Sequence, residues 1–336
     1  MKFFFIYQII LNIFFVFYFE KISKILNLFD LPDNKRKLHK KKTPSIGGCL
    51  IFINIFSFFF YHLVKNIFFD FNFDLDFFDR QEFVIFILFS FSFFFIGILD
   101  DKIYLNANIK LALYFFIILT LALLNDKILI NFINFTFVSY NLNDLFISIF
   151  FTIICFLLFI NAFNMYDGIN LQSGLYSIFI FSIFFYKGIF TEISITLIIS
   201  LFFFLYLNWR NKCFLGNNGA LLLSFVISYL FIKSNSANTF YADEIFLIMM
   251  IPGIDLLRLA IFRLAKGKHP FSADRNHLHH LLLNNFGFNK TIIILNLMTT
   301  IPYFIFIFFG HIIYLIIFSF LTYAYLIFKY SYKNLN

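Results

Sequence analysis

Predominantly apolar runs recur along the whole chain. Long ones cover residues 3–19, 47–64, 83–99, 145–163, 291–309 and 312–328, and shorter ones cover 111–124, 174–185, 193–207, 220–232 and 245–265. A membrane-crossing helix needs about 20 apolar residues, with roughly 17 as the lower limit. The runs show no strand-like alternation, and polar residues gather in the short segments between them. The pattern predicts an all-α polytopic integral membrane protein of eleven transmembrane helices, or ten if one short run does not cross. One polytopic domain is expected over 1–336, ending in a helix pair and a short cytoplasmic tail over 281–336. The first run lacks a small-residue cleavage site, so it reads as a span rather than a removable signal. Between the apolar runs, residues 66–82 are acidic and aromatic, while 125–144 alternate in a way that predicts a short periplasmic hairpin.

Composition agrees with the pattern. Hydrophobic residues make up 61% of the 336 and charged residues 13%. A soluble fold could not bury that much apolar surface and still keep a wettable exterior. The 61 phenylalanines read mainly as lipid-facing filler. Cys49, Cys155 and Cys213 are far apart, with no metal-type spacing and no disulfide framework.

A net charge of +8 would suggest nucleic acid in a soluble protein, but here the placement of the charge decides. With eleven crossings, twenty Lys and Arg residues fall on one side and six on the other. The basic side is the cytoplasmic one. A lipid bilayer is therefore the partner, and nucleic acid is not.

The polar strings with chemical content all fall on that basic side. They are "DLPDNKRKLHKKKTPSIGG" from position 30, "DDKIYLNANIK" from 100, "NAFNMYDGIN" from 161, "NWRNKCFLGNNG" from 208 and "KGKHPFSADRNHLHH", which ends at 280. Asp100 and Asp101 end an apolar helix. Adjacent carboxylates repel and invite a cation, and Mg²⁺ takes one or two carboxylates together with substrate phosphates. A plain helix stop with solvated charges is the competing reading. Asn161, Asn164 and Asp167 share one helix face at spacings of three, which suits either a ligand site or a polar seam between helices. The basic run 35–42, which includes Lys41 and Lys42, reads as a topology determinant or lipid anchor. Its continuation into a Pro turn and paired glycines would let the backbone approach a ligand closely. Five of the seven histidines lie in the first and last strings. His277, His279 and His280 lack cysteine partners and lie beside Arg275, so anion binding or proton transfer fits them better than zinc. Asp255 and Arg258 lie three apart in an apolar run and should pair toward the bundle.

These strings resemble the polyprenyl-phosphate N-acetylhexosamine-1-phosphate transferase family, which also contains phospho-N-acetylmuramoyl-pentapeptide transferase. The likeness covers about 30–280 through "GILDD", "NAFNMYDGIN", "FLGNNGALLLSF" and "PFSADRNHLHH", and the last block is similar to the branch using UDP-GlcNAc. The resemblance implies transfer of a sugar 1-phosphate from a UDP-N-acetylhexosamine to undecaprenyl phosphate, releasing UMP. It implies an inner-membrane enzyme that starts a cell-surface polysaccharide such as the lipopolysaccharide O-antigen. Mg²⁺ is the implied cofactor with Mn²⁺ as a substitute, and a homodimer is allowed. By block position, Asp100 and Asp101 would serve the acceptor phosphate or the metal, together with Asn217. Asn161, Asn164 and Asp167 would meet the nucleotide end, and Phe214 the uracil. His277, His279, His280 and Arg275 would hold the sugar phosphates, with Lys41 and Lys42 nearby. Three positions depart from the family pattern: Asn217 and Asn170 replace an Asp, and Leu171 replaces a Gly. A transporter, or a member with altered catalysis, is the alternative. Transporters place binding groups near the midplane, whereas the polar strings here lie at one face.

Overall fold

Residues 2–32, 41–69, 78–270 and 274–331 are described by the computed structural model of the chain. Positions 35–40 of the basic run (with His39), 70–77 of the acidic loop, 271–273 of the last block and 332–336 of the tail lie outside the described residues. Among the described residues every expected apolar run is a helix. In chain order the helices are α1 (Lys2–Leu26), α2 (Gly47–Phe69), α3 (Arg80–Ile103), α4 (Ala107–Leu124), α5 (Leu145–Tyr166), α6 (Gln172–Tyr186), α7 (Thr191–Trp209), α8 (Gly216–Ser236), α9 (Ala242–Ala265), α10 (Leu278–Phe309) and α11 (Ile312–Ser331). Ten are long and apolar enough to cross a membrane, and α6 is a shorter apolar helix. The protein is all-α and polytopic.

Contacts divide the chain into two units, one of residues 1–126 with 177–230 and the other of 127–176 with 231–336. Helices α6 and α8 each have residues in both.

In the first unit α1 and α2 pack on α7, and α3 packs on α2 and α4. The buried stripe of α1 is Phe4, Gln8, Asn12, Phe15, Phe19 and Ser23, at spacings of three and four. Polar side chains sit on the inner face because hydrocarbon outside cannot satisfy them. Asn12 and Asn54 exchange side-chain amide hydrogen bonds of 2.8 and 2.9 Å. Each also donates to the carbonyl one turn back in its own helix.

Helix α8 is the most enclosed of the ten candidate spans, with 89% of its membrane-length window buried, although it is the least apolar of them. Phe225 stacks on Phe93 of α3 at 4.8 Å between ring centroids. Close approach at the start of α8 depends on glycine. A Cβ on Gly48 of α2 would collide with Asn218 and the Gly219 backbone, and one on Gly97 of α3 would lie 2.6 Å from the Asn217 carbonyl. The strands β1 (Phe29–Asp30) and β2 (Thr43–Pro44) pair antiparallel just before α2.

In the second unit α9 packs against α5, α10 and α11. The hairpin expected in 125–144 is present as β3 (Phe132–Asn134) and β4 (Ser139–Asn141), with Ile133 opposite Tyr140. Asp243 ties it to the start of α9 by accepting from the Thr136 hydroxyl at 2.6 Å. Helix α10 begins well before its apolar run and breaks at Gly287, at φ 73° and ψ 175°. That backbone region is essentially open to glycine alone. The histidine-bearing turns are therefore a separate helical piece, set off from the membrane span that follows.

The glycine contacts generate a test. Gly97→Ala should destabilise the protein by about 1–3 kcal/mol through overpacking. Gly253→Ala, which faces open space, should be neutral or slightly stabilising. Melting midpoints of the two variants in detergent would check this, and equal midpoints would refute the packing role of Gly97.

Candidate active site

The polar site of the first unit is built where two loops are stitched together. Phe214 N–H donates to the Pro44 carbonyl at 2.8 Å, while Gly47 and Gly48 N–H donate to the Phe214 and Leu215 carbonyls at 3.0 Å each. "TPSIGG" and "FLGNNG" are thereby held side by side. Asp101, in the last turn of α3, faces the N-terminus of α8. Its Oδ1 accepts from Asn217 N–H at 3.0 Å, and its Oδ2 accepts from Asn218 N–H at 3.1 Å and from the Asn218 side chain at 2.5 Å. Asn218 also donates to the Ser45 carbonyl at 2.8 Å. A carboxylate at a helix N-terminus meets both unpaired N–H groups and the positive end of the helix dipole.

Asp100, its neighbour, is held by other partners. It is 1% exposed, its Oδ1 accepts from Leu105 N–H at 2.9 Å, and its Oδ2 pairs with Lys110 Nζ at 2.6 Å. Lys110 lies ten residues after Asp100, on the next helix, a spacing that does not mark the pair in the sequence. Phe214 and Asn217 are half-buried, and Lys41 and Lys42 are exposed. Lys42 Nζ lies 4.1 Å from the centre of the Phe29 ring. Burial pushes the Cys213 thiol up to about 12, which removes it as a thiolate nucleophile at neutral pH.

In the second unit, Asn161 donates from its side chain to the Leu157 carbonyl at 2.7 Å. Asn164 is half-buried. Asp167 caps the C-terminus of α5, and its Oδ1 accepts from the Ser173 hydroxyl at 2.5 Å. The His279 ring lies against Gly168, where any Cβ would collide with it, so the "YDGIN" and "HLHH" strings meet there. Rings of His277 and His279 lie 5.2 Å apart and nearly parallel, and His279 and His280 lie 4.3 Å apart. His277 and His279 are buried, His280 is half-buried, and Arg275 is exposed.

Asp255 and Arg258 pair at 2.9 Å as expected. Asp255 also accepts from His277 Nδ1 at 2.9 Å, a link the sequence did not suggest. Arg263 was likewise missed. It is 2% exposed and donates to Asp274 at 2.8 Å and to the Pro270 carbonyl at 2.7 Å. An arginine inside an apolar span was the available signal for it. Burial alone would raise the Asp274 carboxyl. Hydrogen bonds from Arg263 and Asn276 N–H, with the guanidinium charge, outweigh burial and hold it below the ordinary carboxylate range.

Mg²⁺ would need several oxygen ligands free to converge on one point. Among the described residues no three His, Cys, Asp or Glu groups gather in a metal-holding cluster. Both oxygens of Asp100 and of Asp101 already face N–H or ammonium donors. In this arrangement the pair does not fit a ready-made magnesium site.

Residues 83–235 match the family described as Glycosyl transferase family 4. Over 283 residues the chain is 26% identical to the undecaprenyl-phosphate alpha-N-acetylglucosaminyl 1-phosphate transferase of Escherichia coli (strain K12), covering 80% of this chain and 72% of that protein. The resemblance to the phosphosugar transferases holds. The protein of the same description from Thermotoga maritima is 27% identical over 294 residues, covering 86% and 84% of the two chains. That from Yersinia pestis is 25% identical over 295 residues, covering 83% and 75%.

One departure from the family pattern acquires a structural meaning. Leu171 sits at φ +69°, in the left-handed region that disfavours side chains. An L-residue there costs about 1–2 kcal/mol. Leu171→Gly should therefore be more stable than Leu171→Ala by about 1 kcal/mol, read from melting midpoints. The reverse order would mean that the backbone at 171 is not strained.

Proposed function

We propose that this protein transfers N-acetylhexosamine 1-phosphate, N-acetylglucosamine by default, from a UDP-sugar to undecaprenyl phosphate. The observation that carries the reading is the similarity, spread over 80% of the chain, to a protein described as an undecaprenyl-phosphate alpha-N-acetylglucosaminyl 1-phosphate transferase. An oxygen of the acceptor phosphate attacks the β-phosphorus of the donor. The bond from that phosphorus to the bridging oxygen breaks, UMP leaves with the oxygen, and a lipid-linked diphosphate sugar forms. Such chemistry asks the protein mainly for positioning and charge stabilisation.

Roles follow block by block. Asp100 and Asp101 serve the acceptor end. Asn161, Asn164 and Asp167 serve the nucleotide, and Phe214 stacks on uracil. His279, His280 and Arg275 hold the sugar phosphates, with Lys41 and Lys42 drawing anions to the face. With α6 counted as a crossing, the excess of basic residues on one side supports a cytoplasmic active face in the inner membrane. The product would start a cell-surface polysaccharide, O-antigen among them.

The first test is UMP release from UDP-N-acetylglucosamine by membrane vesicles containing the protein. Release should depend on added undecaprenyl phosphate. Uptake of the sugar without UMP release would instead establish a transporter. Magnesium has its own test. Asn217→Asp adds a carboxylate beside the α8 N-terminus and should lower the Mg²⁺ concentration giving half-maximal turnover. An unchanged requirement would take position 217 out of metal binding.

A further inference from the structure

The histidine loop is anchored by a network that reaches the last helix of the chain. Asp255, buried on α9, receives donors on both oxygens. Tyr323 O–H of α11 donates to Oδ1 at 2.7 Å, and Arg258 Nη2 donates to the same oxygen at 2.9 Å. His277 Nδ1 lies 2.9 Å from Oδ2, and Leu278 N–H points at both oxygens from 3.3 and 3.4 Å. Tyr323 is fixed in turn, because its oxygen accepts from Arg258 Nε at 2.7 Å, and Arg258 also donates to the Asn276 carbonyl at 2.6 Å. On the other edge of the imidazole, Arg263 Nη2 lies 3.4 Å from His277 Nε2. Arginine can only donate. Nε2 is therefore the acceptor, and Nδ1 carries the proton that Asp255 receives.

Both nitrogens of His277 thus face protein groups, and its ring is buried. His280 and Arg275, which flank it, are half-buried and exposed, respectively. We propose that Tyr323 is a positioning residue that acts through Asp255 and His277 to set the loop presenting Arg275 and His280 to the donor phosphates. His277 is then the strut of the triplet rather than a group that meets substrate. The proposal rests on the transferase reading for what the loop binds, and on geometry alone for what holds it. It also brings α11, which lies beyond both the matched segment and the family-like blocks, into the working part of the protein.

Tyr323→Phe in the full-length protein removes one hydroxyl and keeps the ring. Losing a hydrogen bond to a charged group should speed amide exchange at Leu278 about tenfold, while amides in α11 keep their rates. The KM for UDP-N-acetylglucosamine should rise about tenfold, while kcat and the KM for undecaprenyl phosphate stay within about twofold. In a His277→Gln background the same change should add nothing further, because the two residues act in series. Unchanged exchange at Leu278, a fall in kcat at constant donor KM, or additive effects would each overturn the proposal. Faster exchange throughout α11 with a lowered midpoint would overturn it too, as general loosening. If the unsubstituted protein turns over no UDP-sugar, the transferase reading fails, and the exchange measurement still decides the anchor.

Discussion

The contact between Asp101 and the first turn of α8 carries the architecture of the first unit. Helix α8 is buried along most of its length, and its leading N–H groups have no acceptor within the helix itself. An unpaired buried group of this kind costs about 1–3 kcal/mol. Asp101 takes two of these groups and the Asn218 amide at once. The same demand for proximity explains the glycines at 48, 97 and 219, because any side chain there would push the helix starts apart. Loop stitching through Pro44, Phe214 and Leu215 then follows from where α2 and α8 begin.

The second unit solves a related problem with a different device. Asp255 and Arg263 are charged groups inside an apolar helix, and each is tolerated only because it is fully engaged. Their partners are a loop and another helix, so neutralising them also fixes where the loop runs. Charge satisfaction and placement of functional groups are one event there. The Gly287 break adds freedom of direction, since the histidine-bearing turns need not follow the axis of the membrane span behind them.

Asp101 carries two demands. It caps a helix and, on the proposed function, serves the acceptor end, so substitution at 101 would mix folding with function. Asn217 does not share that conflict, because only its backbone N–H is tied to Asp101. Leu171 carries a backbone cost at φ +69°, and it is one of the three places that depart from the family pattern.

Sequence alone determined the class of the protein. Apolar runs without strand-like alternation fold as helices in such a chain, and all eleven are helices in the structure, while the hairpin expected within 125–144 is present as β3 and β4. The polar strings stood out as candidate functional blocks because charge is scarce in such a chain and therefore conspicuous. What the sequence could not decide was which polar groups meet. Asp100 and Asp101 are adjacent in the chain yet serve Lys110 and the start of α8. His277 finds Asp255 on α9 twenty-two residues back, and Tyr323, one of 18 tyrosines, had no local feature to mark it. Hydrophobic patterning is a local property, read from neighbours in the chain. Hydrogen bonding between buried groups depends on helix order, rotation and closeness, and those exist only once the chain has folded.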